Sequence, residues 1–210
     1  AAGGGSCSRQ GPAGIGPTIT PEAVAGLKKG QELAAQGISY DENLSECGPP
    51  GFPRWLVIPF LREFIVRPEE TWLSSEPGNN VRRIYTDGRA WPAKITPTFA
   101  GYSIGKWLDE DGDGRYDTLV VETRGFKGPR TFDGTPGIPL HSDNQTVVEE
   151  RIYLNKSDPD VLHADIKVTD HALTRPWSVV RKYQREHKPH WSEYICNEGN
   201  EELLVDKESY

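Results

Sequence analysis

The sequence predicts a mainly β domain preceded by one short helix, and three observations carry that prediction. About nine short segments rich in Val, Ile, Tyr, Trp and Thr recur from Glu63 onward, and turn residues such as Pro77-Gly78-Asn79-Asn80 and Asp87-Gly88 separate them. No helical period intervenes between those segments, so neighbouring strands are expected to pair antiparallel. The longest segments alternate apolar and polar residues with period two, as half-buried strands do. A closed or nearly closed barrel fits this succession, and so does a sandwich.

Residues 1–17 are Gly, Ala, Ser and Pro with little to bury, and no fold is assigned to them. Thr20-Pro21-Glu22 reads as an N-cap, a first-turn proline and a first-turn acid, followed by Val24, Leu27 and Leu33 before Gly37, so a helix is expected over about 20–35. Gly26 and Gly30 each weaken it by about 1 kcal/mol relative to Ala, which makes it dependent on packing against the main body. At Cys47-Gly48-Pro49-Pro50-Gly51-Phe52-Pro53 the texture turns to turn chemistry, and Trp55-Leu56-Val57-Ile58-Pro59-Phe60 begins the dense apolar part. The expected division is therefore a leader and helix over 1–46, a β domain over 47–197 and a tail over 198–210.

The predicted strands are Glu63–Val66, Glu70–Ser74, Val81–Tyr85, Gly101–Trp107, Thr118–Thr123, Thr146–Leu154, Val161–Thr169, Trp177–Gln184 and Trp191–Cys196. Parity assigns their faces. In Val161–Thr169 it sets Leu162, Ala164, Ile166 and Val168 against His163, Asp165, Lys167 and Thr169, a split between core and water. In Thr146–Leu154, Glu150 shares a face with Val148, Ile152 and Leu154 and needs an interior partner. Arg82 and Arg83 project to opposite faces of their strand, so one of them can supply that counter-charge.

The densest chemical signal is Asp109-Glu110-Asp111-Gly112-Asp113-Gly114-Arg115-Tyr116-Asp117, set between two strand-like segments. Oxygen ligands at alternating positions, with a glycine for the sharp turn, suit a hard cation, so Asp109, Asp111, Asp113, the Arg115 carbonyl and Asp117 are the expected Ca2+ ligands. An EF-hand would place a bidentate Glu at the twelfth position, which here is Val120, and would have helical flanks. The DxDxDGxxD spacing instead resembles the calcium hairpins of integrin α-subunit propeller repeats, a resemblance that implies a structural metal and no particular fold.

Net charge of −7 and a pI near 5.3 oppose the basic footprint of a nucleic-acid partner. No apolar run approaches the roughly 18 residues of a membrane span. The chain opens Ala1-Ala2-Gly3, as a processed exported protein would, so a periplasmic or extracellular location is expected. Cys7, Cys47 and Cys196 lack zinc spacing; one disulfide, Cys47–Cys196, would close a loop of about 150 residues and contribute a few kcal/mol through the unfolded chain. Cys7 would be the odd thiol.

Several motifs recur in order: Val81-Arg82-Arg83-Ile84-Tyr85-Thr86-Asp87-Gly88, Gly101-Tyr102-Ser103-Ile104-Gly105-Lys106-Trp107, Asp117-Thr118-Leu119-Val120-Val121-Glu122-Thr123, Leu140-His141-Ser142-Asp143, Thr174-Arg175-Pro176-Trp177 and Glu193-Tyr194-Ile195-Cys196-Asn197. Together they resemble a widespread family of exported bacterial proteins of unassigned function, over about Cys47 to Asn197. That resemblance implies export and an antiparallel lipocalin-like (calycin-like) β-barrel of about eight to ten strands, and it implies no agreed activity. Many members carry a short Trp-Glu-Gly-Asp-type turn where this chain has Leu108 to Tyr116, which makes the calcium loop a feature of a subfamily.

Three functions are open on these residues. A barrel mouth walled by Trp55, Trp72, Tyr85 and Trp107 would bind a small apolar or aromatic molecule. A cofactor-free lyase, hydratase or isomerase would use His141 as proton shuttle, with Asp143 or Glu150 assisting; the long patternless stretch Gly125–Asn144 carries that histidine. No Gly-x-Ser-x-Gly elbow occurs, so Ser142 beside His141 does not mark a serine hydrolase. An accessory subunit or surface interaction protein would use the leader and the Glu201–Tyr210 tail as docking arms for a protein partner.

Overall fold

The computed structural model describes residues 17–38, 49, 51–53, 60–76, 80–128, 130–131, 139–140 and 145–191. The chain is mainly β, with one helix and an eight-stranded sheet curled into a half-barrel. The elements are α1 (Pro21–Ala35), β1 (Arg62–Val66), β2 (Glu70–Ser75), β3 (Asn80–Tyr85), β4 (Tyr102–Leu108), β5 (Thr118–Arg124), β6 (Arg130–Thr131), β7 (Pro139–Leu140), β8 (Val147–Leu154), β9 (Val161–Thr169) and β10 (Trp177–Gln184). The sheet order is β1-β2-β3-β4-β5-β8-β9-β10, and β6 pairs with β7 apart from it. That two-residue pair interrupts a stretch expected to carry no strand. Cys47, Trp55, His141, Asp143 and Cys196 lie outside the described residues, as does the expected last strand beyond Trp191.

Every ladder of the large sheet is antiparallel except β3–β4, which is parallel and holds only two register pairs, Ile84↔Ser103 and Tyr85↔Ile104. A parallel pair needs a crossover rather than a tight turn, and the chain from Thr86 to Gly101 supplies it. This crossover is pinned to the end of β5. Thr98 N–H donates to Gly125 O at 3.1 Å, Lys127 N–H donates to Thr98 O at 2.8 Å, and Phe52 N–H donates to Phe99 O at 2.8 Å. The result brings the rings of Phe52 and Phe126 to 5.8 Å over the inner face of the sheet.

Residues of alternating parity fill that inner face. Ile84, Leu119, Val148 and Val168 are wholly enclosed, each burial worth about 1.5–3 kcal/mol. The two edges of the half-barrel face one another. Arg62 on β1 lies 5.9 Å from the ring centroid of Tyr183 on β10, yet no ladder joins these strands among the described residues. Thr20 caps α1 by accepting from Ala23 N–H at 3.3 Å, and residues 18–20 bond to 172–174 through Thr20 N–H to Ala172 O and Thr174 N–H to Thr18 O, both 2.9 Å. Only a narrow stripe of the helix turns inward. Ala23, Leu27 and Leu33 are half-buried on it and Gly30 is buried, whereas Val24 is exposed.

At the centre of the inner face, Arg82 and Glu150 meet with both side chains fully enclosed. Arg82 Nη1 donates to Glu150 Oε1 at 3.1 Å and Nη2 donates to Oε2, while Nε donates to Ser103 Oγ at 3.0 Å and Nη2 to Thr123 Oγ1 at 2.5 Å. Phe52 covers the guanidinium at 3.9 Å. Because these residues come from β3, β4, β5 and β8, the pair bridges the short parallel ladder with side chains. Glu150→Ala should lower stability by about 3–5 kcal/mol, since it strands an enclosed cation. Arg82→Met combined with Glu150→Leu should lose far less. Urea unfolding of the wild type, both single variants and the double variant checks this; single and double losses of equal size would refute the coupling.

Candidate functional site

The outer face of the sheet carries rows of charged side chains. Across β4, β5, β8, β9 and β10 the register aligns one row of Lys106, Val120, Arg151, Asp165 and Val180. The next row is Ile104, Glu122, Glu149, Lys167 and Ser178. Together with Trp91 from the crossover, they line a groove of about 620 Å³. Its apolar residues are Ile104, Val120, Val180 and Trp91, and its charges are largely paired. Lys167 Nζ lies 2.6 Å from Glu149, Arg151 lies 3.6 Å from Asp165, and Arg124 holds Glu122. Glu122 and Glu149 stand directly opposite each other, a like-charge pair made tolerable by those cations.

Aromatic residues continue the groove toward β3. The Tyr102 ring lies tilted against Tyr85 at 5.1 Å and against Trp91 at 5.9 Å, with Arg89 over Tyr85 at 3.8 Å and Arg124 over Trp91 at 4.7 Å. Among the expected wall aromatics, Tyr85 and Trp72 therefore share the outer face, where Arg67 and Arg83 lie 5.2 and 4.6 Å from the Trp72 ring. Trp107 faces inward and donates its indole N–H to Thr71 Oγ1 at 3.2 Å. The structure does not bring Trp107 together with Trp72 and Tyr85. Trp91 belongs to no strand and so carries no periodic mark in the sequence, although a connection as long as the crossover is itself a functional signal.

The acidic hairpin joins β4 to β5 beside the groove. Asp109, Asp111 and Asp113 each bring a carboxylate oxygen within 4.8 Å of the others, on an exposed turn. Asp109 accepts from Gly112 and Gly114 N–H at 2.8 and 2.9 Å, and Asp113 accepts from Arg115 N–H at 2.8 Å. Gly112 and Gly114 hold φ of 75° and 86°, so the turn requires residues without a Cβ. Three converging carboxylates are chemically suited to a hard cation. Asp117 stands outside the triad, where its Oδ1 accepts from Glu110 N–H at 3.3 Å and the Thr118 side chain holds its carboxyl below the ordinary range. The loop is tied to the sheet by charge. Arg151 Nε donates to Glu110 Oε1 at 3.0 Å with a second N–H on Oε2, and Lys156 Nζ lies 3.3 Å from Asp111 Oδ2.

Glu150, expected to assist proton transfer, faces the interior and spends both oxygens on Arg82. The structure does not bring it to the groove's side-chain chemistry. His163 sits on the outer face, half-buried, with Nε2 at 3.2 Å from Asn155 Nδ2 and its ring 5.3 Å from Tyr153. No family model matches the chain, and no curated protein is similar enough to count as a relative.

The Arg151 hydrogen bonds hold the Glu110 carboxyl below its ordinary value of 4.5. A carboxyl lowered in the folded state contributes stability above its unfolded value and loses it as pH falls through the folded value. The tether between hairpin and β8 should therefore persist at neutral pH and release only in acid. A carboxyl-carbon NMR titration should place the Glu110 midpoint below 4.5 in the wild type and return it toward 4.5 in Arg151→Met. Equal midpoints in the two proteins would refute the tether.

Proposed function

We propose that this chain is an exported, lipocalin-like β-barrel protein that binds a small apolar or aromatic molecule, with a calcium ion clamping its acidic hairpin. The observation that carries the reading is the groove on the outer face. It combines the apolar residues Ile104, Val120, Val180 and Trp91 with a volume of about 620 Å³, in the range of small-molecule sites. The centre of the inner face is filled by apolar side chains and the Arg82–Glu150 pair. Ligand is therefore assigned to the groove rather than to the interior. Export and kinship with the exported bacterial family rest on the motifs of the sequence.

Native mass spectrometry and tryptophan fluorescence, run against a panel of apolar and aromatic compounds, test the binding. Val120→Glu puts a charge on the floor of the groove and should weaken the best compound at least about tenfold, the effect of roughly 1.4 kcal/mol. Trp107→Phe changes the inner face and should leave affinity unaltered. Binding lost in Trp107→Phe but kept in Val120→Glu would move the site to the interior, and binding of no compound would remove the reading.

Calcium is proposed at Asp109, Asp111 and Asp113, with Asp117 and the Arg115 carbonyl completing the shell. Oxygen-only ligands disfavour zinc and copper. An ion that binds only the folded state stabilises it by about 2.7 kcal/mol at a hundredfold excess over Kd. Calcium should accordingly raise the thermal midpoint and EDTA lower it, with the response abolished in Asp109→Asn combined with Asp113→Asn. A midpoint indifferent to both calcium and EDTA would refute the clamp.

A further inference from the structure

We infer that the molecule held in the groove is a monocarboxylate with an unbranched or aromatic apolar body, its head group held by Lys106 above Val120. The inference rests on the groove being the ligand site, and it names the class of ligand. Among the described residues that line the groove, Arg151 is engaged by Glu110 and Asp165, and Lys167 by Glu149. Lys106 is the groove cation that no described carboxylate balances. The strand β3 ends at Tyr85, opposite Ile104, so no ladder residue flanks Lys106 on that side.

The register fixes where an anion would sit. Lys106, Val120 and Arg151 occupy successive positions of one cross-strand row, so the floor residue Val120 lies between two cationic side chains. Neighbouring strands are about 4.8 Å apart, which leaves a carboxylate above Val120 within reach of Lys106, while Glu110 and Asp165 hold the Arg151 guanidinium. In the next row Glu122 and Glu149 are already held by Arg124 and Lys167, so that row offers an anionic head no unpaired cation among the described residues.

The same geometry orients the body of the ligand. From Val120 the apolar strip runs past Ile104 to Trp91, which contacts Tyr102 two residues before Ile104 on the same face. Two steps of two residues along a strand span roughly 13 Å, the length of a ten-carbon chain or a two-ring acid. Trp91 at the far end presents an aromatic surface against which such a body packs.

Calorimetric titration of the full chain with decanoate and with decan-1-ol separates the claims, because the two probes share a body and differ in the head. The wild type should favour decanoate by about tenfold, as a charge-assisted contact implies. Lys106→Gln should abolish that preference by weakening the acid alone, and Lys106→Arg should keep it. Equal affinity for acid and alcohol in the wild type, or a preference that survives Lys106→Gln, overturns the carboxylate assignment while leaving groove binding intact. If neither probe binds, or if Val120→Glu weakens neither, the groove reading fails and this inference fails with it.

Discussion

The buried pair of Arg82 and Glu150 is the constraint around which the sheet is assembled. Its partners come from four strands, β3, β4, β5 and β8, and the weakest backbone ladder of the sheet, the two-residue parallel pairing of β3 with β4, lies within its span. Hydrogen bonds of the main chain hold the meander on either side of that junction. Side chains hold the junction itself. A guanidinium removed from water is tolerable only because nearly all its donors are satisfied and Phe52 covers its face, which makes the crossover that positions Phe52 part of the same device.

Filling the interior in this way divides labour between the two faces. Among the described residues, a cation, a carboxylate and two hydroxyls close on one another at the centre of the inner face, between apolar residues. The outer face keeps unsatisfied capacity. There the register sets charged residues in rows, with valine and isoleucine between them and an aromatic cluster at one end. The acidic hairpin is tied to this outer face and not to the core, because Arg151 serves both the Glu110 bridge and the groove. Events at the hairpin and events at the groove thus share a side chain.

Local patterns in the sequence were sufficient for most of the elements. The N-cap at Thr20, the strand spans from Glu63 to Gln184 and the inner parity of Leu162, Ala164, Ile166 and Val168 follow from short-range rules, because capping and period-two burial depend on a few neighbouring residues. The interior location of Glu150 and its need for a cation were legible for the same reason. Misplacement began where the answer depended on which strand lies beside which. Trp107 groups with Trp72 and Tyr85 as a wall by residue type, yet its parity carries it to the opposite face. Asp117 stands outside the triad of Asp109, Asp111 and Asp113 and places an oxygen on Glu110 N–H, an arrangement that spacing alone does not give.

By itself, then, the sequence determined a mainly β chain with a helix in front, an acidic glycine-bearing turn between two strands, and an inward carboxylate in want of a partner. Only the tertiary structure decided that the sheet is a single curled half-barrel with one parallel junction, and that Arg82 rather than Arg83 meets Glu150. It alone decided that Lys106, Val120 and Arg151 stand in one row facing a groove with Trp91. The reason is the range of the forces involved. Helix caps and strand alternation are set by neighbours in the chain, but register is set by packing between segments separated by tens of residues, and it carries no local mark.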